Sequence, residues 1–291
     1  MSGASKRSGE FELIAKYFAP LAKGEAGALG LRDDAAYLKP RAGYDLVVTT
    51  DAIVAGVHFF PDDPPDTVAK KALRVNLSDL AAKGAVPRGY LLTLALPSDL
   101  NDAWVKTFAK GLQADQTSFG IGLLGGDTTA TPGPLTVNIV ALGEVAAGKM
   151  ITRSGAKIGD EVWVSGTIGD AALGLRLLEG AAPDIGAKNR RAAVARFRVP
   201  EPRCFLGPKL VGLAHACADV SDGLLADLGH ICEASGVGIE MRALDVPLSP
   251  AAKAAAACGT DIGAFLSGGD DYELAFTAPA SVSGRVAGLA A

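Results

Sequence analysis

Histidine is nearly absent from this chain, with three among 291 residues, and aromatic side chains make up only 6%. So few imidazoles leave little material for histidine-based acid–base work, and packing must rest on Ala, Val, Leu and Ile. No Gly-Lys-Ser or Gly-Lys-Thr occurs, and neither H-E-x-x-H nor G-x-S-x-G is present. These absences remove P-loop kinases, zincins and serine hydrolases. There is no basic excess either. Lys and Arg number 28 against 32 Asp and Glu, a net charge of −4, so neither nucleic acid nor an anionic membrane is an expected partner. No apolar run is long enough to span a bilayer. The segment Met1–Gly9 is polar with no apolar h-region, so no signal peptide is expected. The four cysteines, Cys204, Cys217, Cys232 and Cys258, form no C-x-x-C pair. His215 and His230 share their stretch of chain, but not at metal spacing. The cysteines read as reduced core residues of a cytoplasmic protein.

What the chain does have is aspartate at the ends of short apolar segments, flanked by Gly, Ser or Thr. The clusters are Arg32-Asp33-Asp34, Thr49-Thr50-Asp51, Asn76-Leu77-Ser78-Asp79, Gly125-Gly126-Asp127-Thr128, Asp219-Val220-Ser221-Asp222-Gly223 and Gly268-Gly269-Asp270-Asp271. Carboxylates and hydroxyls are hard oxygen donors and select Mg²⁺ or Ca²⁺. Mg²⁺ normally takes one or two protein carboxylates and completes its shell with water and phosphate oxygens. Many such clusters therefore suggest several Mg²⁺ ions gathered around phosphate groups. A phosphate-binding protein with no net positive charge needs such local cations.

Alternating strand and helix patterns in both halves predict an α/β chain. A short amphipathic helix is expected over Glu10–Leu21, with Phe11, Ile14, Ala15 and Phe18 on one face. Tyr44–Thr50 reads as a buried strand ending at Asp51. Thr67–Lys83 reads as a helix closed by Gly84. Strands are expected at Tyr90–Leu96, Ile121–Leu124 and Leu135–Val145, with an intervening helix capped by Asp102 and running to about Ser118. After Ala146 the pattern restarts: strand Asp160–Ser165, helix Gly169–Glu179, loop Ala181–Asn189, a helix end and strand in Val211–Val220, helix Gly223–Ser235 and strand Tyr272–Phe276. The expected domains are 1–147 and 148–291.

Each cluster also has a plain structural reading. Asp51 fits a turn or cap, Asp79 a salt bridge to Lys83 at i+4, and Asp222 the N-cap of the helix that follows it. Gly125-Gly126-Asp127 fits a tight turn between strands, and Ser267–Glu273 a solvated turn. His58 fits a half-buried histidine beside two Phe. Arg153 is a candidate phosphate clamp. The match Gly120-Ile121-Gly122-Leu123-Leu124-Gly125 is not a dinucleotide site, because that motif must open a helix and Thr131-Pro132-Gly133-Pro134 forbids one.

In their order and spacing, these motifs resemble the thiamine-monophosphate kinases. The series runs Gly9-Glu10-Phe11, Asp33-Asp34-Ala35-Ala36, Thr49-Thr50-Asp51, Gly56-Val57-His58-Phe59, Asn76-Leu77-Ser78-Asp79-Leu80, Gly125-Gly126-Asp127-Thr128-Thr129, Thr152-Arg153-Ser154-Gly155, Asp219-Val220-Ser221-Asp222-Gly223-Leu224 and Gly268-Gly269-Asp270-Asp271-Tyr272-Glu273. The resemblance implies a two-domain α/β (α+β) fold of the aminoimidazole-ribonucleotide-synthetase-like superfamily. Its N-terminal domain would pair into a homodimer, and its C-terminal α/β domain would complete the site. It implies transfer of the γ-phosphoryl of ATP to thiamine monophosphate. Carried over by motif, Asp34, Thr49, Thr50, Asp51, Asp79, Asp127, Asp219 and Asp222 would bind Mg²⁺, and among them Asp51, Asp79 and Asp127 would be catalytic. Gly126, Asp127, Arg153 and Ser221 would face ATP, and His58 and Asp270 thiamine monophosphate. Three departures stand out. Arg32 occupies a position usually held by Gly. Asp270 stands where the family often has Glu, which shortens its reach. Family members also run on past this chain's end into a segment with an aromatic that stacks on thiamine. The rivals are a synthetase of the same superfamily and a catalytically silent nucleotide- or metal-binding module. Selenophosphate synthetase would need a reactive Cys or selenocysteine near the N-terminus, whereas the first Cys here is Cys204.

Overall fold

The computed structural model describes residues 7–290, so most of the polar segment read above as lacking a signal peptide lies outside the described residues. The chain divides into two compact units. The first takes the residues up to Asn76 together with Pro87–Glu144, and the second takes Leu77–Val86 together with Val145 onward.

The first unit begins with α1 (Glu10–Leu13), which continues as a π-helical turn over Ile14–Phe18 and a 3₁₀ turn over Ala19–Ala22. This change of winding overturns the predicted apolar face. Phe11 is 85% exposed, while Leu13, Phe18, Leu21 and Ala22 are buried. A face argued from 3.6 residues per turn does not survive windings of different pitch. The sheet has β1 (Tyr44–Val54), β2 (Val86–Leu96), β3 (Gly122–Ala130) and β4 (Thr136–Ala146) in the order β1-β4-β2-β3. Strands β2 and β3 are parallel, with Asp127 opposite Thr93.

Strand β1 is not the buried strand its composition suggested. It is an edge, and only Val47 and Ile53 on it are buried, whereas Tyr44, Leu46 and Val48 are exposed. Hydropathy alone does not distinguish a strand covered on both faces from an apolar edge. Helices α2 (Pro65–Ala82) and α3 (Asp102–Phe119) complete the unit; the last turns of α2 belong to the second unit. The two helices approach closely at Gly111, where a Cβ would lie 2.5 Å from the Asp66 carbonyl oxygen. A bidentate pair, Arg74 with Asp115 at 2.7 and 2.8 Å, links them. The cap of α3 is Asn101, whose side chain accepts from the Trp104 amide, and not Asp102. Asp102 instead accepts from the Ser8 amide and hydroxyl, Lys16 and Tyr17. The Ser8 amide leads in pulling its carboxyl down to about 2.

In the second unit β5 (Asp160–Val164), β6 (Ala216–Asp219) and β7 (Leu274–Pro279) form an antiparallel sheet in the order β5-β7-β6. The helices are α4 (Asp170–Leu178), α5 (Ala187–Arg198), α6 (Gly207–Leu210), α7 (Leu224–Ser235), α8 (Pro250–Ala257), α9 (Ile262–Leu266) and α10 (Ser283–Ala287). One core joins Ile168, Ala218, Val220, Leu228, Ile231 and Ala275; a second joins Leu173, Leu177, Ala193, Ala252, Ala255 and Phe265. The expected loop over Ala181–Asn189 runs into α5, a helix the sequence reading missed. Among the α5 residues only Ala193 and Phe197 are buried, so its many arginines hide the apolar stripe. Packing against α4 is close: a Cβ at Gly174 would meet the Ala193 carbonyl oxygen at 2.3 Å. None of the four cysteines is in a disulfide; Cys204 and Cys217 are buried, but Cys258 is exposed and so is no core residue. No helix of the described residues is long and apolar enough to cross a membrane.

Candidate active site

In the first unit the acidic motif Asp33-Asp34 follows a 3₁₀ stretch with left-handed backbone at Leu29 (φ 50), Gly30 (φ 68) and Leu31 (φ 55). Two non-glycine residues held there mark a strained approach to the motif. Arg32 itself has φ −118 and ψ 1, which needs no glycine, so the departure at this position leaves the loop intact. Asp33 accepts from the Asp34 amide at 2.8 Å, and both aspartates are exposed. They line a groove of 1360 Å³ whose wall also includes Gly126 and Asp127, beside apolar Phe11, Phe18 and Leu92.

The Gly125-Gly126-Asp127-Thr128 segment is not a turn between strands. It continues β3, whose register shifts against β2 at Tyr90/Leu91. Gly126 has φ 154, and a Cβ there would lie 1.8 Å from the Leu92 carbonyl oxygen. The β2 backbone fills the place of a side chain there, so only glycine lets β3 run on to the exposed Asp127.

Thr49, Thr50 and Asp51 lie on β1 and do not line that groove. Thr50 donates to Asn138 at 3.2 Å. The Asp51 amide donates to Asn76 at 3.0 Å, and Asn76 is wholly buried and returns its amide to the Ala72 carbonyl. Asn76 therefore ties β1 to α2 where Asp51 stands. His58 closes the turn after β1. It is exposed rather than half-buried, and its Nδ1 accepts from the Val54 amide at 3.1 Å. That bond places the proton of a neutral imidazole on Nε2. The turn is fixed from below by Lys71, only 2% exposed, whose ammonium donates to the His58 carbonyl at 2.8 Å.

In the second unit Asp79 and Asp219 are electrostatic neighbours. Asp219 is 4% exposed and accepts from the Ser78 hydroxyl at 2.7 Å. Burial, and after it the Asp79 charge, push its carboxyl up to about 7. The Lys83 ammonium donates to the Cys217 carbonyl at 3.2 Å, and burial lowers its pKa. The Arg153 charge adds to that lowering, so Arg153, Lys83, Asp79 and Asp219 share one local field. A buried carboxylate crowded by another is stabilised by a cation, so this donor set suits a hard divalent ion.

Asp222 is not the N-cap of α7. The cap position is Gly223 (φ 119), with no side-chain bond. The carboxylate that closes this helix is Asp227, whose Oδ2 accepts from the amides of Ser221, Asp222 and Gly223 at 3.0, 3.1 and 3.2 Å. Asp222 is left exposed. The facing loop packs backbone to backbone: a Cβ at Gly269 would lie 2.3 Å from the Ser221 carbonyl oxygen. Asp270 (φ 70) donates its amide to that carbonyl, and Tyr272 (φ 51) donates to that of Val220. Of the acids in this loop, Asp271 and Glu273 are wholly buried. Asp271 accepts from the Gly169 and Ala171 amides at 2.6 and 3.2 Å, while burial pushes its carboxyl up to about 7. Glu273 takes Arg196, Arg203 and Ser165. The solvated-turn reading is thus overturned: the loop is pinned from inside, and Asp270 alone among its acids is not buried.

The structure therefore gathers Asp34, Gly126 and Asp127 in one groove of the first unit, with Thr49, Thr50, Asp51 and His58 on and after β1. In the second unit Asp79, Arg153 and Asp219 stand together, and Ser221, Asp222 and Asp270 sit on two packed loops. Of the supports, Asn76, Asp271 and Glu273 lay within motifs noted in the sequence but with no bracing role expected, and Lys71 and Asp227 were not singled out. The one signal was a lone Asp or Asn inside an apolar helix, as in Asp227 of α7.

A family model for AIR synthase related protein, N-terminal domain, matches residues 32–145, and one for AIR synthase related protein, C-terminal domain, matches residues 157–281. The thiamine-monophosphate kinase of Caulobacter vibrioides is 49% identical over 269 residues, covering 91% of this chain and 75% of that protein. The crystal structure of thiamine-monophosphate kinase from Stenotrophomonas maltophilia K279a superposes with a TM-score of 0.83 at 41% identity, over 94% of this chain and 90% of that one. The structure of AaThiL complexed with AMPPCP and TMP does so with a TM-score of 0.78 at 34% identity, over 86% and 80%. With these two domains in this order and this identity along nearly its whole length, the chain belongs to the thiamine-monophosphate kinase family.

Proposed function

We propose that the protein transfers the γ-phosphoryl group of ATP to thiamine monophosphate, yielding thiamine diphosphate and ADP. The observation that carries this reading is the likeness to AaThiL complexed with AMPPCP and TMP, 34% identical over 86% of this chain. The residue chemistry agrees. The acceptor is a phosphate monoester, already anionic near neutral pH because its second pKa is about 6. It needs no general base, which suits a chain with three histidines.

The barrier is charge. Two like charges about 4 Å apart repel by roughly 4 kcal/mol at an effective dielectric near 20, and a triphosphate meeting a phosphate contains several such pairs. Mg²⁺, when bound, supplies the positive charge that offsets this repulsion and favours in-line transfer. Asp34, Thr49, Thr50, Asp51, Asp79, Asp127, Asp219 and Asp222 are the residues proposed to hold it, with Asp51, Asp79 and Asp127 nearest the reacting phosphates. Gly126 and Asp127 present an open stretch of β3 to ATP, Arg153 clamps a phosphate, and Ser221 offers its hydroxyl. His58, with its proton on Nε2, and Asp270, held on its pinned loop, face thiamine monophosphate. Transfer is direct, with no phosphoenzyme.

We further assign residues 1–147 to an ATP- and Mg²⁺-binding, dimer-forming domain and 148–291 to the domain that completes the site. A homodimer is favoured by β1, an edge strand exposing Tyr44, Leu46 and Val48, because an unpaired apolar edge invites a second copy. Cysteines outside any disulfide and the lack of a membrane-crossing helix among the described residues favour a cytoplasmic protein. The deciding experiment is product analysis with ATP, Mg²⁺ and thiamine monophosphate. Thiamine diphosphate formed one-for-one with ADP is the expected result. Binding of MgATP without product would favour the silent-module reading instead.

A further inference from the structure

Helix α7 carries a group of donors that the phosphoryl-transfer reading leaves largely unused. Asp222 just ahead of the helix, Asp227 in its first turn and His230 three residues later each bring one ligand atom to within 4.8 Å of the others. An acidic cluster by itself marks nothing. The independent observation is in Asp227, which is wholly buried. Its Oδ2 is saturated by three amides, yet its Oδ1 is buried with no hydrogen-bond partner among the described residues. An orphaned carboxylate oxygen in the interior is costly and calls for a partner. The three amides fix the direction of the carboxylate, so Asp227 enters the cluster as a held donor with one oxygen still unsatisfied. His230 lies on the same helical face by its i, i+3 spacing. Asp222 is exposed, which gives an ion a way in from solvent.

We propose that Asp222, Asp227 and His230 form a binding site for a divalent transition-metal ion such as Mn²⁺ or Zn²⁺. The imidazole sets the class: a nitrogen donor suits transition ions, whereas Mg²⁺ prefers an all-oxygen shell. Bonds of about 2.1 Å place neighbouring donors about 3.0–3.4 Å apart, so donors as far as 4.8 Å from one another draw together by roughly 1.5 Å, a movement shared by the exposed Asp222 and the rotating His230 ring. Three protein ligands leave coordination positions open for water or a phosphate oxygen. The site shares Asp222 with the Mg²⁺ set proposed above but differs from it in the imidazole and in the buried Oδ1.

The test uses the full chain without nucleotide, so it does not depend on the kinase reading. Mn²⁺ is titrated in millimolar Mg²⁺, and the bound ion is read by electron paramagnetic resonance for nitrogen coupling. The expected result is one Mn²⁺ per chain with imidazole coupling that disappears in His230→Gln, where Mn²⁺ affinity falls at least tenfold. His58→Gln and His215→Gln retain both signal and affinity. Asp227→Asn is the second variant and should weaken Mn²⁺ similarly if its melting curve stays cooperative. Wild-type protein lacking nitrogen coupling, or His230→Gln with unchanged affinity, overturns the proposal. Thiamine diphosphate formation in the same preparations reports separately on the kinase reading.

Discussion

Glu273→Gln isolates what holds the 268–273 loop, proposed above to face thiamine monophosphate. Glu273 is wholly buried and neutralises two guanidinium groups, Arg196 at 16% and Arg203 at 29% side-chain exposure. Hydrogen bonding to Glu273 is the chief cause of the raised pKa of Arg203. Breaking a buried ion pair by removing one partner costs about 3–5 kcal/mol, because the remaining charge is left uncompensated. Glutamine keeps a hydrogen-bonding oxygen, and Arg203 retains some water, so the expected loss is nearer 2–3 kcal/mol. For a unit of this size each kcal/mol corresponds to about 2–4 °C, so the second unit should melt roughly 5–10 °C lower. The loss should also reach function. Arg196 donates to the Asp271 carbonyl as well as to Glu273, and Asp270 stands next on that loop. The KM for thiamine monophosphate should therefore rise more than the KM for ATP. Calorimetry and steady-state kinetics on the folded variant measure both effects. A melting shift under about 2 °C, or equal changes in both KM values, would refute the view that this ion pair network supports the loop.

Three further outcomes are expected. Asp127→Asn, on an exposed stretch of β3, should leave the melting temperature within about 2 °C of wild type and remove thiamine diphosphate formation; full turnover would sink Asp127 as a metal ligand. Asn76→Ala leaves the Asp51 amide without its 3.0 Å partner, so stability should fall by about 1–2 kcal/mol and the Mg²⁺ needed for half-maximal rate should increase; an unchanged Mg²⁺ dependence counts against Asn76 as the residue that places Asp51. Asp271 has its carboxyl raised to about 7 by burial, so the folded state binds a proton that the unfolded state has already released. Its contribution is therefore greatest below about pH 4 and is lost as pH rises through 7. The stability advantage of wild type over Asp271→Asn in urea titrations should shrink between pH 5.5 and pH 8, and a constant difference would contradict the assignment.

Local pattern carried much of the fold. Helices α2, α3, α4 and α7 and strands β2 and β4 were legible because their apolar spacing and their Gly, Pro or Asn ends lie within one element. The run Gly125-Gly126-Asp127 stood out in the sequence, but the demand for glycine at Gly126 comes from the Leu92 carbonyl of the neighbouring strand β2. Helix α5 was not legible, because only two of its residues are buried and the rest of its surface is charged.

What the amino-acid order determined by itself was most of the run of elements and the acidic motifs. Tertiary structure alone decided which of those acids stay exposed and which brace the fold. Strand β1 looks buried in one dimension and is an exposed edge in three, because only sheet order says which strand has a neighbour. Asp222 looks like a cap until Asp227, one turn further on, takes the amides and leaves it open. Asp271 and Glu273 look like solvated acids until partners far along the chain reach them: the Gly169 and Ala171 amides at 102 and 100 residues for Asp271, and Arg203, Arg196 and Ser165 at 70, 77 and 108 for Glu273. A carboxylate's role depends on its burial and its partners, and both are set by contacts between segments that sequence spacing does not connect.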